Sequence, residues 1–184
     1  MDKKEFIRKK YFLKRKNNYF EIDKNFFKPL ISCIKKRVKS KQKNICLYYP
    51  SSYELNILKI LDVEFFKKFY FSLPIIEENN SMNFYQWKKR DVLLVNKFGI
   101  PEPLRSCKVR PDIFLVPLLA FDTNKNRLGY GKGFYDKFLN EYIKLQKDIL
   151  TVGVAFSFQK HHNIPVKSND YQLDCIITEK GLII

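Results

Sequence analysis

The 184-residue sequence predicts a single-domain three-layer α/β/α sandwich around an open, mainly parallel but mixed sheet. Three observations carry this expectation. Short apolar runs alternate with amphipathic helical segments over much of the chain, the pattern of βαβ units. The run 113–121 is apolar almost throughout, as expected of a central strand covered on both faces. At 45% hydrophobic and 16% aromatic, the chain can fill one real core, whereas two full domains would be cramped. No internal repeat, low-complexity linker or domain boundary divides it.

The elements follow in order. Residues 3–16 read as a basic helix of moderate amphipathicity. Over 24–39, Phe27, Ile31, Ile34 and Val38 recur at three- and four-residue steps and form one apolar stripe, which predicts a helix. The run 45–49 ends at Pro50 and reads as a buried strand. Ser51 and Glu54 stand three apart, as in a capping box, ahead of Leu55, Leu58 and Leu61, so a strand, a turn and a helix are expected. A second strand, 68–73, is stopped by Pro74. A polar loop at 77–81 leads to a third strand at 82–87. Gly99, Pro101 and Pro103 make 98–103 a loop. The central strand 113–121 is expected to end or bulge at Pro117. Residues 134–147 form a helix with Phe138, Tyr142 and Leu145 on one face, and 150–156 and 175–177 are further strands.

The charge narrows the function classes. Thirty-five Lys and Arg against nineteen Asp and Glu leave a net charge of +16, a field that attracts polyanions. The lysines are dispersed, however, and the densest runs, 3–16 and 35–43, fall in helices where lysine faces water. No basic stripe interleaves with aromatics, so a nucleic-acid-binding module is the weaker reading. Cys33, Cys46, Cys107 and Cys175 contain no CxxC pair, and the adjacent His161 and His162 diverge, which disfavours a metal cluster and suits reduced thiols. Residues 1–16 lack an apolar signal core, and 113–121 is too short to span a bilayer. The expectation is a soluble, cytoplasmic monomer with no membrane partner and no specific nucleic acid.

The most informative segment, RLGYGKGFYD at 127–136, follows the best strand and opens a helix. Gly129, Gly131 and Gly133 alternate, so the backbone can bend and approach a ligand closely. Amides of the loop and the helix start can converge on an anion, with Arg127 and Lys132 adding charge. The spacing is neither that of a P-loop nor that of the dinucleotide fingerprint. Asp136, in the first helical turn, suits either the helix dipole or a hard cation beside a bound phosphate. Taken as residues alone, Glu54 suits a cap, Asp170 a turn after Asn169, and isolated aromatics a core.

This segment closely resembles the signature of the 5-formyltetrahydrofolate cyclo-ligases. PDIFLVPLLAFD at 111–122 resembles the strand and turn leading into it. In the same order along the chain, Lys4 and Arg8, YYPSSYELN at 48–56, LPII at 73–76, FGIPEP at 98–103 and QKHHNIPVKSNDYQLDCIITEKG at 159–181 also resemble family motifs. Tyr130 takes a slot that varies, and Phe134 one commonly held by Tyr.

The resemblance implies an enzyme that uses ATP and Mg²⁺ to convert 5-formyltetrahydrofolate, with or without a polyglutamate tail, to 5,10-methenyltetrahydrofolate, ADP and phosphate. ATP phosphorylates the formyl oxygen, N10 attacks the activated carbon, and phosphate departs. By the same resemblance, ATP is held by Lys4, Arg8 and residues Arg127, Leu128, Gly129, Tyr130, Gly131, Lys132, Gly133, Phe134 and Tyr135. Arg127 and Lys132 carry the catalytic charge, and Asp136 and Asp170 serve Mg²⁺. Tyr49, Glu54, Phe98, Phe134 and Tyr135 contact the folate. The absence of a convincing Ser/His/Asp or Cys/His arrangement agrees with a route that needs no covalent nucleophile. The competing readings are a relative that keeps the ATP loop for another small substrate, a phosphosugar-binding α/β domain, and the nucleic-acid-binding module above.

Overall fold

The computed structural model describes residues 2–38, 43–146 and 148–184. The predicted helix ends at 39 and 147, and the middle of the basic run 35–43, lie outside them. Helix α1 (Lys3–Asn17) starts at Asp2, whose side chain accepts from the Lys4 amide. A 3₁₀ turn (Lys24–Phe27) leads into α2 (Lys28–Arg37), with Pro29 in its first turn. The strands are β1 (Asn44–Cys46), β2 (Tyr70–Ile76), β3 (Met82–Gln86), β4 (Leu93–Val95), β5 (Pro101–Pro103), β6 (Lys108–Val109), β7 (Ile113–Pro117), β8 (Ala120–Phe121), β9 (Arg127–Leu128), β10 (Leu150–Val154), β11 (Cys175–Thr178) and β12 (Gly181–Ile183). Helix α3 spans Phe134–Leu145.

Eight strands form one sheet in the order β12-β11-β10-β7-β1-β2-β3-β6. The run β11-β10-β7-β1-β2 is parallel, and the flanking strands are antiparallel. Side chains of β7 alternate between two cores, as pleating demands. Ile113 and Leu115 join α2 and its Phe27, Leu30 and Ile34. Phe114 and Val116 join Leu139 and Tyr142 of α3. That is the predicted three-layer sandwich with a mixed, mainly parallel sheet. From β1 the chain steps outward to β2, then returns to place β7 and β10 on the other side. The topological switch point therefore lies between β1 and β7, whose carboxyl ends open a crevice there. The hairpin β8–β9 leaves the sheet just beyond Pro117, and Ile7 and Tyr11 of α1 pack on its Ala120 and Leu128. This seats α1 over the crevice.

Several expectations are corrected. The stripe of α2 centres on Leu30, Cys33 and Ile34, while Ile31 and Val38 are half-buried. Strand β2 runs through Pro74. Ser72 and Tyr70 pair toward β1, so by alternation the Pro74 nitrogen faces the same side, two residues past the end of the β1 ladder, where no donor is needed. Residues 98–103 are not all loop: β4 and β5 form a hairpin in which Glu102 faces β4 and both proline nitrogens point away. Leu145, the last residue of α3, is exposed. The helix expected after Ser51 is absent; a 3₁₀ helix begins only at Ile57 (Ile57–Asp62). Ser52 and Tyr53 adopt φ of 49° and 63°, so neither can be a residue of the right-handed first turn. Glu54 instead closes the turn, its Oε2 accepting from the Ser51 amide at 2.9 Å.

Candidate active site

The carboxyl ends of β1, β2 and β7 and the glycine loop enclose a cavity of about 470 Å³, in the size range of small-molecule sites. Every residue singled out from the sequence lines it: Lys4, Arg8, Tyr49, Glu54, Phe98, the whole of 127–136, and Asp170. Residues as far as 166 apart in sequence thus meet because α1 folds over the loop and the segment before β11 returns beside it.

The loop geometry explains its glycines. Gly131 has φ of 100° and Gly133 φ of 70°, the latter as the N-cap of α3. The Arg8 guanidinium lies across the loop, its Nε donating to the Gly129 carbonyl at 3.0 Å. A Cβ on Gly131 would stand 3.2 Å from Arg8 Cζ. Lys132 is exposed and makes no ion pair or hydrogen bond among the described residues.

Two cation–carboxylate pairs stand beside the loop. Arg127 is buried, and its Nη2 donates to Asp136 Oδ1 at 2.7 Å. Asp136 Oδ1 also accepts from the Tyr171 amide. Burial pulls the Arg127 guanidinium down from its ordinary value, opposed by the charge of Asp136. Lys4 Nζ, also buried, donates to Asp170 Oδ2 at 2.5 Å, and the Lys167 amide donates to the same oxygen. Although partial burial opposes it, the Lys4 and Lys167 hydrogen bonds hold Asp170 below the usual carboxylate range. Among the described residues no group of three His, Cys, Asp or Glu could hold a metal. The donor set still suits Mg²⁺, which commonly takes one or two carboxylates and completes its shell with phosphate and water. Asp136 Oδ2 and Asp170 Oδ1 make no hydrogen bond among the described residues.

The other wall is aromatic and carries two acids, Glu54 and Glu102. Phe98, from the β4–β5 turn, approaches Phe134 with ring centroids 6.3 Å apart. Glu54 is buried, with Oε1 accepting from Tyr130 Oη at 3.1 Å and Oε2 from Ser51. Burial pushes its carboxyl up, opposed by Arg15 and these hydrogen bonds. Tyr135 Oη is buried without a partner among the described residues. Sequence reasoning missed Arg15, Lys167, Asn169 and the brace formed by Glu102, which accepts from the Ile76 amide at 3.0 Å and from Asn96 at 2.7 Å and so anchors the Phe98 hairpin. Only Asn96 ahead of Gly99 and the lone acid between Pro101 and Pro103 could have hinted at that brace.

Comparison with known proteins gives a consistent result. The model of the 5-formyltetrahydrofolate cyclo-ligase family matches residues 2–179. A 5-formyltetrahydrofolate cyclo-ligase of Mycoplasma genitalium is 34% identical over 138 residues, covering 73% of this chain and 72% of that protein. The corresponding protein of Haemophilus influenzae is 32% identical over 138 residues, covering 71% and 73%. The solved structure of Aquifex aeolicus 5,10-methenyltetrahydrofolate synthetase superposes with a TM-score of 0.74 at 34% identity, covering 97% of this chain and 91% of that one.

Proposed function

Because the chain belongs to the 5-formyltetrahydrofolate cyclo-ligase family, we propose that it closes the methenyl ring of 5-formyltetrahydrofolate at the expense of ATP, releasing ADP and phosphate. One observation carries this reading: a single cavity joins a cation-flanked glycine loop at a helix start to an aromatic wall with a buried carboxylate. The first suits phosphates and the second a flat heterocycle with N–H donors.

The chemical difficulty is the formyl group, whose amide resonance makes carbon a poor electrophile and oxygen a poor leaving group. Transfer of the terminal phosphoryl group to that oxygen turns it into a phosphate ester. N10 then attacks the carbon, loses its proton, and the C–O bond breaks with release of phosphate. Positioning and charge stabilisation are what the protein must supply. The 129–133 loop, Arg8 and Lys132 bind the phosphates, and Lys132 stabilises the transferring charge. Arg127, committed to Asp136, fixes that carboxylate at the start of α3, and Lys4 does the same for Asp170. Asp136 and Asp170 would hold Mg²⁺, which when bound offsets negative charge on the phosphates. Glu54 orients the folate by accepting from its N–H groups, and Tyr49, Phe98, Phe134 and Tyr135 stack on or flank its rings.

The test is an absorbance assay with purified protein, 5-formyltetrahydrofolate, Mg²⁺ and ATP, since the methenyl product absorbs in the near ultraviolet and the substrate does not. The expected result is product formation that stops when ATP is withheld. Folded protein that forms no product under these conditions would refute the reading.

A further inference from the structure

Arg15, in the last turn of α1, is the largest completely buried side chain among the described residues, at 1% exposure. A buried guanidinium is costly unless acceptors and a counter-charge compensate it. Among the described residues no carboxylate touches Arg15. Its Nη1 donates to the Leu118 carbonyl at 3.2 Å, and its Nη2 to the Ser52 carbonyl at 2.7 Å and to Tyr130 Oη. Its guanidinium also lies over the Tyr130 ring at 5.5 Å. The acid that answers its charge, Glu54, is reached only through that tyrosine hydroxyl.

The chemistry of this chain of bonds is directional. Arginine can only donate, so Tyr130 Oη must accept from it. The hydroxyl has one proton, and Glu54 Oε1 lies 3.1 Å away to receive it. The opposite polarity, with a protonated Glu54 donating to the tyrosine, would put two donors on the hydroxyl and leave its own proton without the carboxylate acceptor, so it is disfavoured while Arg15 stays bonded there. Resting on the reading of Glu54 as the folate anchor, we propose that Arg15 is a positioning residue for the folate: acting through Tyr130, it fixes the direction of the bond to Glu54 and keeps that carboxylate an acceptor for substrate donors. Arg15 ties together the 51–54 turn, the end of β7 and the glycine loop, so it also sets where Glu54 stands relative to the phosphate site. The groups whose charge reaches Glu54 are Arg15 from α1, Tyr130 from the loop, Tyr48 after β1 and Tyr135 from α3. Of these only Arg15 favours its ionised form by charge.

The experiment compares wild type with Arg15→Met and Tyr130→Phe in the same absorbance assay, measured across pH. Both variants should raise KM for 5-formyltetrahydrofolate by roughly 10-fold or more, the worth of a bond to a charged group, while KM for ATP in Arg15→Met stays within about twofold. Both should move the acid limb of kcat/KM for the folate to higher pH, because Glu54 then protonates more readily. The double variant should be little worse than Arg15→Met alone, as expected of two residues acting in one path. An acid limb unmoved in Tyr130→Phe, which keeps the ring and the other Arg15 bonds, would overturn the inference even if Arg15→Met failed to fold. So would additive losses in the double variant. Wild-type protein with no turnover would overturn the functional reading itself, and the inference with it.

Discussion

Replacing Gly131 with Ala separates two costs that the structure keeps distinct. At φ of 100° the residue lies where an L side chain is strained, a cost of about 1–3 kcal/mol. The new methyl would also stand 3.2 Å from Arg8 Cζ and 3.4 Å from its Nε and Nη2. Arg8 must give by a few tenths of an ångström, at the expense of its bond to the Gly129 carbonyl. A charged bond of this kind is worth roughly 1.5–3 kcal/mol, with the lower end apt for a half-buried side chain. The expected loss of stability is about 3–4 kcal/mol by urea denaturation. Gly133→Ala is the control: φ is 70° and nothing lies within 4 Å of its Cβ, so only a backbone cost of about 1–2 kcal/mol remains. In an Arg8→Ala background the Gly131 substitution should fall to the Gly133 level, since the methyl then meets no guanidinium. Equal losses for the two glycines, or an undiminished Gly131 cost without Arg8, would refute the argument that this loop is shaped around Arg8.

Three more outcomes follow from particular contacts. Lys132→Ala should lower ATP-dependent turnover by roughly 10-fold or more while leaving the melting temperature unchanged, because the side chain is exposed and unpaired among the described residues; steady-state kinetics with a thermal melt reads both. Lys4→Met should cost about 1–3 kcal/mol of stability near pH 7. Asp170 is held below its ordinary value of 3.8 in the fold, so its contribution is present above that value and disappears as pH falls through the lowered one; the gap between variant and wild type should therefore narrow in acid denaturation series, and a gap constant down to pH 2 would contradict the pairing. Gly153→Ala, in β10, would push a methyl to 2.8 Å from Leu173 Cδ1 and 2.9 Å from Leu118 Cδ2; overpacking of this kind costs roughly 1–3 kcal/mol, measurable as a lowered denaturation midpoint.

What could be read in advance divides along physical lines. Apolar runs report burial, so β1, β3, β7, β10 and β11 were legible, and the double coverage of β7 followed from its lack of alternation. The glycine loop was legible because positive φ and close approach demand Gly at fixed positions. Proline misled twice, at Pro74 and at Pro101 with Pro103, because whether a missing N–H matters depends on which side of the strand carries the ladder, and that is a tertiary fact. Ser51 and Glu54 misled in a different way. The bond expected of a capping box does form, from the Ser51 amide to Glu54, but it closes a left-handed turn, since local hydrogen bonds are shared by caps and turns. Arg15 was missed: it stands four residues after Tyr11 and eight after Ile7, on the same inward face of α1 as Lys4, but in a helix rich in lysine a cation at that spacing reads as solvated.

That hidden cation points to how the cavity manages its charge. Lys4 and Arg127 each stand against a carboxylate, and Arg15 faces Glu54 through Tyr130, so three buried cations are answered before any ligand arrives. Such pairing offsets the cost of burial and fixes Asp136 and Asp170 by partners that can only donate. A site built this way needs little reorganisation when charge moves, which is the condition under which electrostatic stabilisation of phosphoryl transfer is strongest. Lys132 and Arg8 differ: neither faces a carboxylate among the described residues, Lys132 standing in the glycine loop and Arg8 reaching across it from α1. Their charge is left to be answered by a polyanion. On the proposed function, the division between answered and unanswered cations is the division between groups that shape the site and groups that bind the phosphates.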